Sequence, residues 1–233
     1  MNIGSVLNET YEYYRRAWRE YALLSALVFI PLGLLAALTQ HNSTNDSIRS
    51  LYVWGVITKV TLIVATTWLQ AAVVVRSNEQ RNSRPLPGVR ETYRLVQPYL
   101  MPVLAVSALS GLAFLLLSLL GVIGLPFLVF LLTRWIVLVP VVVIEGTPTR
   151  AVFRRSHDLA RGKFFDLLLL ALFSVIVIAV VYLVGAAVFG SLSRFAATWI
   201  AMVFVGAIGI PPVMLMWTVA YFQLARGAQR VTA

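Results

Sequence analysis

The chain has 233 residues, of which 12% are charged and 60% hydrophobic, with 19 basic and 9 acidic side chains and a formal net charge of +10. Because soluble domains carry about 25% charged residues, this composition excludes a water-soluble core, a disordered chain and a coiled coil. In a membrane protein the basic excess sets the orientation and meets anionic headgroups, so we expect no nucleic-acid binding. The absence of cysteine excludes disulfides and thiolate sites.

Six apolar segments are each long enough to cross a bilayer, which takes about 20 residues per helix. The polar and charged start of the chain is unlike a cleavable signal peptide, so we expect none. Between residues 99 and 144 the only charge is Arg134, and we divide this long segment near Gly121, Gly124 and Pro126. The six predicted spans are 21–40, 51–75, two within 99–144, 167–193 and 195–225.

Most of the basic residues lie on one side of the predicted spans. Fifteen of the 19 fall in the N-terminal segment, the second and fourth loops and the C-terminal tail, whereas Arg49 and Arg194 lie on the other side. Basic residues in short loops remain in the cytoplasm. The sequence therefore predicts that both termini are cytoplasmic.

Three basic segments begin three similar units within a single membrane domain, 1–233. The sequence Glu-Thr-Tyr occurs at 9–11 and again at 91–93, and 155–157 aligns with both as polar, hydroxyl and aromatic. We predict an all-α polytopic protein whose six transmembrane helices form three repeated pairs, each preceded by a cytoplasmic amphipathic helix. The alternative is chance similarity between basic, aromatic segments that enter a membrane. The predicted units are approximately 3–76, 86–146 and 148–227, and Trp68, Trp135 and Trp217 precede their charged ends.

The cytoplasmic segments 3–19 and 149–163 have the helical spacing of apolar residues that places a helix flat in the membrane interface. In the first, Val6, Leu7, Tyr14 and Trp18 are expected to face lipid, and in the second Gly162 is expected to end the helix. The alternative is a docking surface for a cytoplasmic partner. The predicted headgroup face consists of Arg15, Arg16, Arg19, Arg154, Arg155, Arg161 and Lys163.

The sequence from 134 to 164 resembles a recurrent bacterial pattern. It has Arg134 and an aromatic residue in the fourth span, a valine-rich stretch ending in Glu145-Gly146, and an arginine-serine helix that closes with Arg161-Gly162. The pattern is similar to the membrane domain of some glycerophosphoryl diester phosphodiesterases and to related six-span proteins. This resemblance implies a six-helix bundle in the bacterial inner membrane but no activity, because those enzymes carry catalysis in a separate soluble barrel, which we do not expect in this chain.

No catalytic or metal-binding pattern is present in the sequence. Ser156, His157 and Asp158 have the residue types of a hydrolase triad, but neighbours on a helix point about 100° apart and cannot pass a proton along one line. His157 has no second histidine or cysteine nearby for a zinc site, and no glycine-rich phosphate loop occurs. We therefore predict a protein that is not an enzyme and has no metal or cofactor.

Arg134 is the one charge whose position inside a span needs an explanation. A guanidinium near the middle of a helix costs about 2.5–3.5 kcal/mol to insert, so it should face the bundle interior, a water-filled cavity or an anion. Arg134 is then either a structural anchor, satisfied by carbonyls and by the hydroxyls of Thr66, Thr67 and Thr133, or the binding residue for a lipid headgroup or small acidic solute. Lys59 lies nearer a helix end and should reach the interface.

Two functions remain open from the sequence. The first is a non-enzymatic inner-membrane protein that organises or regulates lipid or envelope components through its basic cytoplasmic face. The second is a carrier or lipid-handling protein with an anion or headgroup site around Arg134, in which Pro211 and Pro212 break or kink the sixth span; such kinks also occur as ordinary packing features. The expected partners are anionic membrane lipids, with a membrane or cytoplasmic protein as a further candidate, and the sequence does not define the oligomeric state.

Overall fold

The computed structural model describes residues 2–42 and 48–232, including their side chains except at 40–53, 118, 194 and 229–232. The predicted loop at 42–50 therefore lies partly outside the described residues, as do the side chains of Arg49 and Arg194. Within the described ranges there are ten α-helices and no strands. The helices are α1 Ile3–Asn42, α2 Ile48–Arg81, α3 Val89–Val96, α4 Leu100–Ser118, α5 Leu125–Trp135, α6 Leu138–Glu145, α7 Thr149–Ala160, α8 Phe164–Phe189, α9 Arg194–Phe204 and α10 Ile210–Thr232.

Six stretches of the described chain are long and apolar enough to cross a membrane, which is the property of a multi-pass membrane protein. They confirm the all-α class and the number of predicted spans, and each overlaps one of the segments expected from hydropathy. The six stretches are Ile3–Thr39, Trp54–Arg81, Val89–Leu117, Gly121–Glu145, Phe164–Phe189 and Phe195–Ala228.

Short backbone irregularities interrupt the helices near the ends of two predicted surface segments, 3–19 and 149–163. Ala17 has non-helical angles (φ −137°, ψ 27°), which mark a kink inside α1. Gly146 and Gly162 have φ of +61° and +74°, a region that favours glycine, and they flank α7. The prediction that Gly162 terminates this helix is confirmed, since α7 ends at Ala160.

The fourth span is interrupted between α5 and α6. Val137 has φ −103° and ψ 13°, and the helix resumes at Leu138. Pro140 accounts for the break, because it has no amide hydrogen to donate to the carbonyl of Ile136 and its ring would clash there. The whole of α6 up to Val143 is buried, so this break lies inside the protein.

The sixth span stays helical across its two prolines. A π-helical turn, Val205–Gly209, joins α9 directly to α10, in whose first turn Pro211 and Pro212 lie. The prolines cannot donate to the carbonyls four residues earlier, and a wider turn accommodates that loss. The structure therefore has a π turn at this place where the sequence suggested a break or kink.

The arginine-rich segments meet at one end of the bundle, which we call the basic end (residues 3–20, 76–96, 145–163 and 221–226). Arg226 near the end of α10 binds Glu9 of α1 at 3.1 Å, and the Tyr93 hydroxyl of α3 donates to the Leu24 carbonyl at 2.9 Å. The core lies towards this end. Its fully buried side chains include Tyr21, Leu24, Leu69, Val141, Leu215 and Phe222.

Candidate functional site at the basic end

Arg134 lies in the last turn of α5, immediately before the break in the fourth span. Its Nη1 donates to the His157 carbonyl at 3.4 Å, and its Cζ is 5.1 Å from the centroid of the Phe130 ring. The buried Ser156 hydroxyl donates to the Arg134 carbonyl at 2.6 Å. Helix α7 therefore lies beside the break between α5 and α6. It is attached there through the side chain and through the main-chain carbonyl of Arg134.

The hydroxyls expected around Arg134 have other partners. Thr133 donates to the Phe130 carbonyl at 2.9 Å and Thr66 to the Leu62 carbonyl at 2.7 Å, each within its own helix. Thr67 is buried in α2, and none of the hydrogen bonds found for the described residues joins these threonines to Arg134. The Nε of Arg134 is buried and has no partner among the described atoms. The His157 carbonyl thus takes the place that the sequence suggested for the hydroxyls.

Ser156 cannot serve as a nucleophile in this arrangement, because its hydroxyl is buried and bound to a carbonyl. His157 and Asp158 are exposed on another face of α7. Among the described residues, no three histidine or acidic side chains are grouped closely enough to hold a metal ion.

Most of the predicted headgroup face is exposed. Five of its seven members are exposed side chains: Arg15, Arg16, Arg19, Arg154 and Arg161. Arg16 has only a weak contact with Glu12, 3.8 Å away in the preceding turn. The exposed guanidiniums are therefore accessible to an anionic group outside the protein.

Arg155 has a different role from its neighbours. Its Nε and Nη2 donate to the two carboxylate oxygens of Glu145 at 2.8 and 3.1 Å, and Tyr221 donates to the same carboxylate at 3.0 Å. The hydrogen bonds to Glu145 raise the pKa of Arg155. The guanidinium of Arg155 therefore links α6 to α7 and is already occupied by a carboxylate. Lys163 also has an acidic neighbour, since its Nζ lies 4.0 Å from the carboxylate of Asp166.

The first part of α1, residues 3–19, has one face against the protein and one face outward. Val6 is fully buried beside Leu170 and Met216, whereas Tyr11 and Trp18 are 61% and 50% exposed. The expectation that Val6 faces lipid is wrong, because that side of the helix is held on α8 and α10. The outward face combines the two exposed rings with arginines: Arg15 Cζ is 5.8 Å from the Tyr11 ring and Arg19 Cζ is 5.5 Å from the Trp18 ring.

Arg76 is a charged residue whose role the sequence did not reveal. It was counted as a loop residue after the second span, but α2 continues to Arg81 and Arg76 is 1% exposed. It forms an ion pair with Glu20, while its Nε and Nη1 have no partner among the described atoms. In the sequence, the acidic Glu20 just before the first predicted span is the one indication of a partner for Arg76, and by itself it does not predict that the two residues pair.

Two large cavities open between the spans, and Arg134 lines neither. One, of about 670 Å³, lies between α1, α2, α8 and α9 and is apolar, with Thr66, Phe29 and Gly206 in its wall. The other, of about 680 Å³, lies between α1, α2 and α3 and has Arg90 at its edge. Lys59 is exposed on α2 and lines neither cavity.

No family model, curated protein or solved structure matches this chain. The resemblance to the membrane domain of phosphodiesterases therefore stays a prediction from residues 134–164.

Proposed function

We propose that this multi-pass protein is non-enzymatic, lies in the bacterial inner membrane with both termini cytoplasmic, and organises or regulates lipid and envelope components through its basic end. The observation that carries the proposal is the outward face of α1, where Arg15, Arg16 and Arg19 alternate with the exposed rings of Tyr11 and Trp18. Aromatic rings at the headgroup level and arginines beside anionic lipid are the features of interfacial binding.

Electrostatics gives this face a preference for anionic lipid. Each arginine near an anionic membrane surface contributes about 1 kcal/mol, and the exposed Glu12 beside Arg16 offsets one of the three, so this face favours an anionic over a neutral surface by about 2 kcal/mol. Arg154 and Arg161 on α7 add to the same end of the molecule. The cytoplasmic leaflet carries the anionic surface potential that such a face requires.

We also propose that the chain consists of three repeated helical pairs, which would surround the bundle with three surface helices. Two ion pairs support this. Arg226 at the end of the third unit binds Glu9, and Glu145 at the end of the second unit binds Arg155. The proposed repeat aligns Arg226 with Glu145 and Glu9 with Arg155, so the same contact occurs twice with its two charges exchanged. Ring contacts of the same kind join Trp68 to Tyr93 and Trp135 to Phe153.

A structural role is the better-supported reading of Arg134. Its contacts with the His157 carbonyl and with Phe130 attach α7 to the broken fourth span. The carrier hypothesis required an open pocket reaching Arg134, and the two large cavities lie elsewhere. We therefore favour the organising role over transport.

The test is lipid selectivity in reconstituted vesicles. Spin-labelled phosphatidylglycerol and phosphatidylcholine report the fraction of each lipid that the protein immobilises. We expect the wild type to prefer phosphatidylglycerol in a salt-sensitive way, and the variant with Arg15, Arg16 and Arg19 all changed to Gln to lose most of that preference. The same positions changed to Lys retain charge and should retain the preference. Equal selectivity of the Gln variant and the wild type would contradict the proposal.

A further inference from the structure

The cavity between α1, α2 and α3 differs from the other large cavity in having a cationic edge. Its wall is formed by apolar side chains of α1 and α2, and Arg90 and Tyr93 of α3 lie at one end. Arg90 is exposed and has no ion pair among the described residues. Among the described side chains, none that lines the 670 Å³ cavity is charged, so of these two cavities the α1–α2–α3 cavity is the one in which described residues offer both an apolar wall and a cation.

This cavity runs along the membrane-spanning part of the bundle, starting from the basic end. Its lining on α1 extends from Leu27 to Leu35, which at 1.5 Å per residue is about 12 Å. A volume of 680 Å³ lies within the range of small-molecule sites, about 300–1,000 Å³. An apolar wall about 12 Å long accommodates part of one acyl chain.

An unpartnered donor lies in the same wall. The Nε1 of Trp68 is buried and has no acceptor among the described atoms, although a buried indole N–H usually finds one. The Trp68 ring lies edge-to-face with Tyr93 at 5.2 Å, and the Tyr93 hydroxyl is already bound to the Leu24 carbonyl. Because no water-sized group reaches this nitrogen, the polar contact open to a ligand in the cavity is the guanidinium of Arg90.

We propose that this groove holds one anionic glycerophospholipid, with an acyl chain between α1 and α2 and the phosphate at Arg90. Arg94, one turn further along α3, is exposed and extends the cationic edge. This inference rests on the proposed function, since it names one specific lipid site at the basic end.

The charge contact between Arg90 and the phosphate, and not the acyl chain, gives the site its selectivity for anionic lipid. An acyl chain that moves from the bilayer into the groove exchanges one apolar environment for another and gains little. A phosphate beside Arg90 gains a charge contact that a neutral headgroup lacks. Loss of one such charge weakens binding by about fivefold.

The decisive experiment is native mass spectrometry of the full protein, purified in detergent with an equal mixture of phosphatidylglycerol and phosphatidylcholine. We expect one retained phosphatidylglycerol on the wild type. Arg90→Gln should lower that retention about fivefold and Arg90→Lys should preserve it. Arg150→Gln changes an exposed arginine of the same end that lies outside both the groove and the predicted headgroup face, so it is the matched control and should keep the lipid.

Two further variants test the apolar wall. Ala65→Phe fills the groove, whereas Val64→Phe adds the same ring at the neighbouring position, which is not part of the lining. The first should abolish retention and the second should not. If Ala65→Phe does not fold, the phosphatidylglycerol retention of the surface variant Arg90→Gln tests the proposed site by itself.

The outcomes separate this site from the broader proposal. Retention unchanged in both Arg90→Gln and Ala65→Phe would overturn the groove. If the variant with Arg15, Arg16 and Arg19 changed to Gln still lost selectivity in vesicles, the proposed function would stand without this site. Equal loss in Arg90→Gln and Arg150→Gln would also contradict the groove, because it would indicate a general effect of charge.

Discussion

The carboxylate of Glu145 joins the end of the fourth span to α7, and reversing its charge tests how the predicted units are connected. Charge-assisted hydrogen bonds such as those from Arg155 contribute about 1.5–3 kcal/mol each. The two side chains are 22% and 41% exposed, so solvent screening lowers the net value of the pair to about 2 kcal/mol. Glu145→Arg or Arg155→Glu adds repulsion between like charges, and we expect either to cost about 3 kcal/mol.

The double exchange, Glu145→Arg with Arg155→Glu, should recover about half of this loss. The contact between Arg226 and Glu9, which the proposed repeat makes equivalent, already has the arginine on α10 and the glutamate near the start of α1. Recovery is incomplete because Tyr221, which donates to Glu145, then has to accept from an arginine.

Thermal unfolding in detergent, followed by tryptophan fluorescence, measures these changes. For a chain of about this size 1 kcal/mol corresponds to about 2–4 °C, so each single reversal should lower Tm by about 6–12 °C. Glu12→Arg is the matched control, since its exposed pair with Arg16 is worth at most about 0.5 kcal/mol. A double variant as unstable as the sum of the two single variants would refute the reasoning, as would single variants within a degree of the wild type.

Three further predictions concern other parts of the molecule. Arg134→Gln should lower Tm in the melting assay, because α7 loses a charged contact at the His157 carbonyl. Mass spectrometry should show no change in the co-purified lipid. Loss of lipid at an unchanged Tm would instead favour the carrier hypothesis. Reporter fusions after Ala233 and within the loop at 42–50 should report opposite sides of the membrane, and labelling of both from outside would overturn the topology. Gly206→Ala should destabilise by about 1–3 kcal/mol in the same melting assay, because a Cβ there overlaps the Phe29 ring, whereas Gly111→Ala, with open space around it, should not.

The six spans could be predicted because hydropathy measures directly which segments suit a bilayer. Arg155 shows what could not be predicted. Arg154 and Arg155 are the same residue type at neighbouring positions of α7. The contact of α7 with Glu145 is what leaves the Arg155 guanidinium occupied and the Arg154 guanidinium exposed.

Contacts between distant segments explain the other differences. Val6 has the spacing of a lipid-facing residue, but α8 and α10 cover it. Arg134 has the position of a mid-span charge, but the break at Val137 and the return of α7 bring a carbonyl to it. Apolar periodicity identifies a helix face that avoids water and does not tell whether lipid or protein covers it.

The most direct test of the central claim is the membrane depth of the outward face of α1. The chain has no cysteine, so Tyr11→Cys gives a single site for a nitroxide label, and Asn82→Cys, an exposed turn residue of the basic end, gives an aqueous reference. In vesicles containing phosphatidylglycerol, we predict that the label at 11 collides more with membrane-soluble oxygen and less with a water-soluble nickel complex than the label at 82. Equal accessibility of both labels to the nickel complex would contradict the claim that this face lies on the membrane.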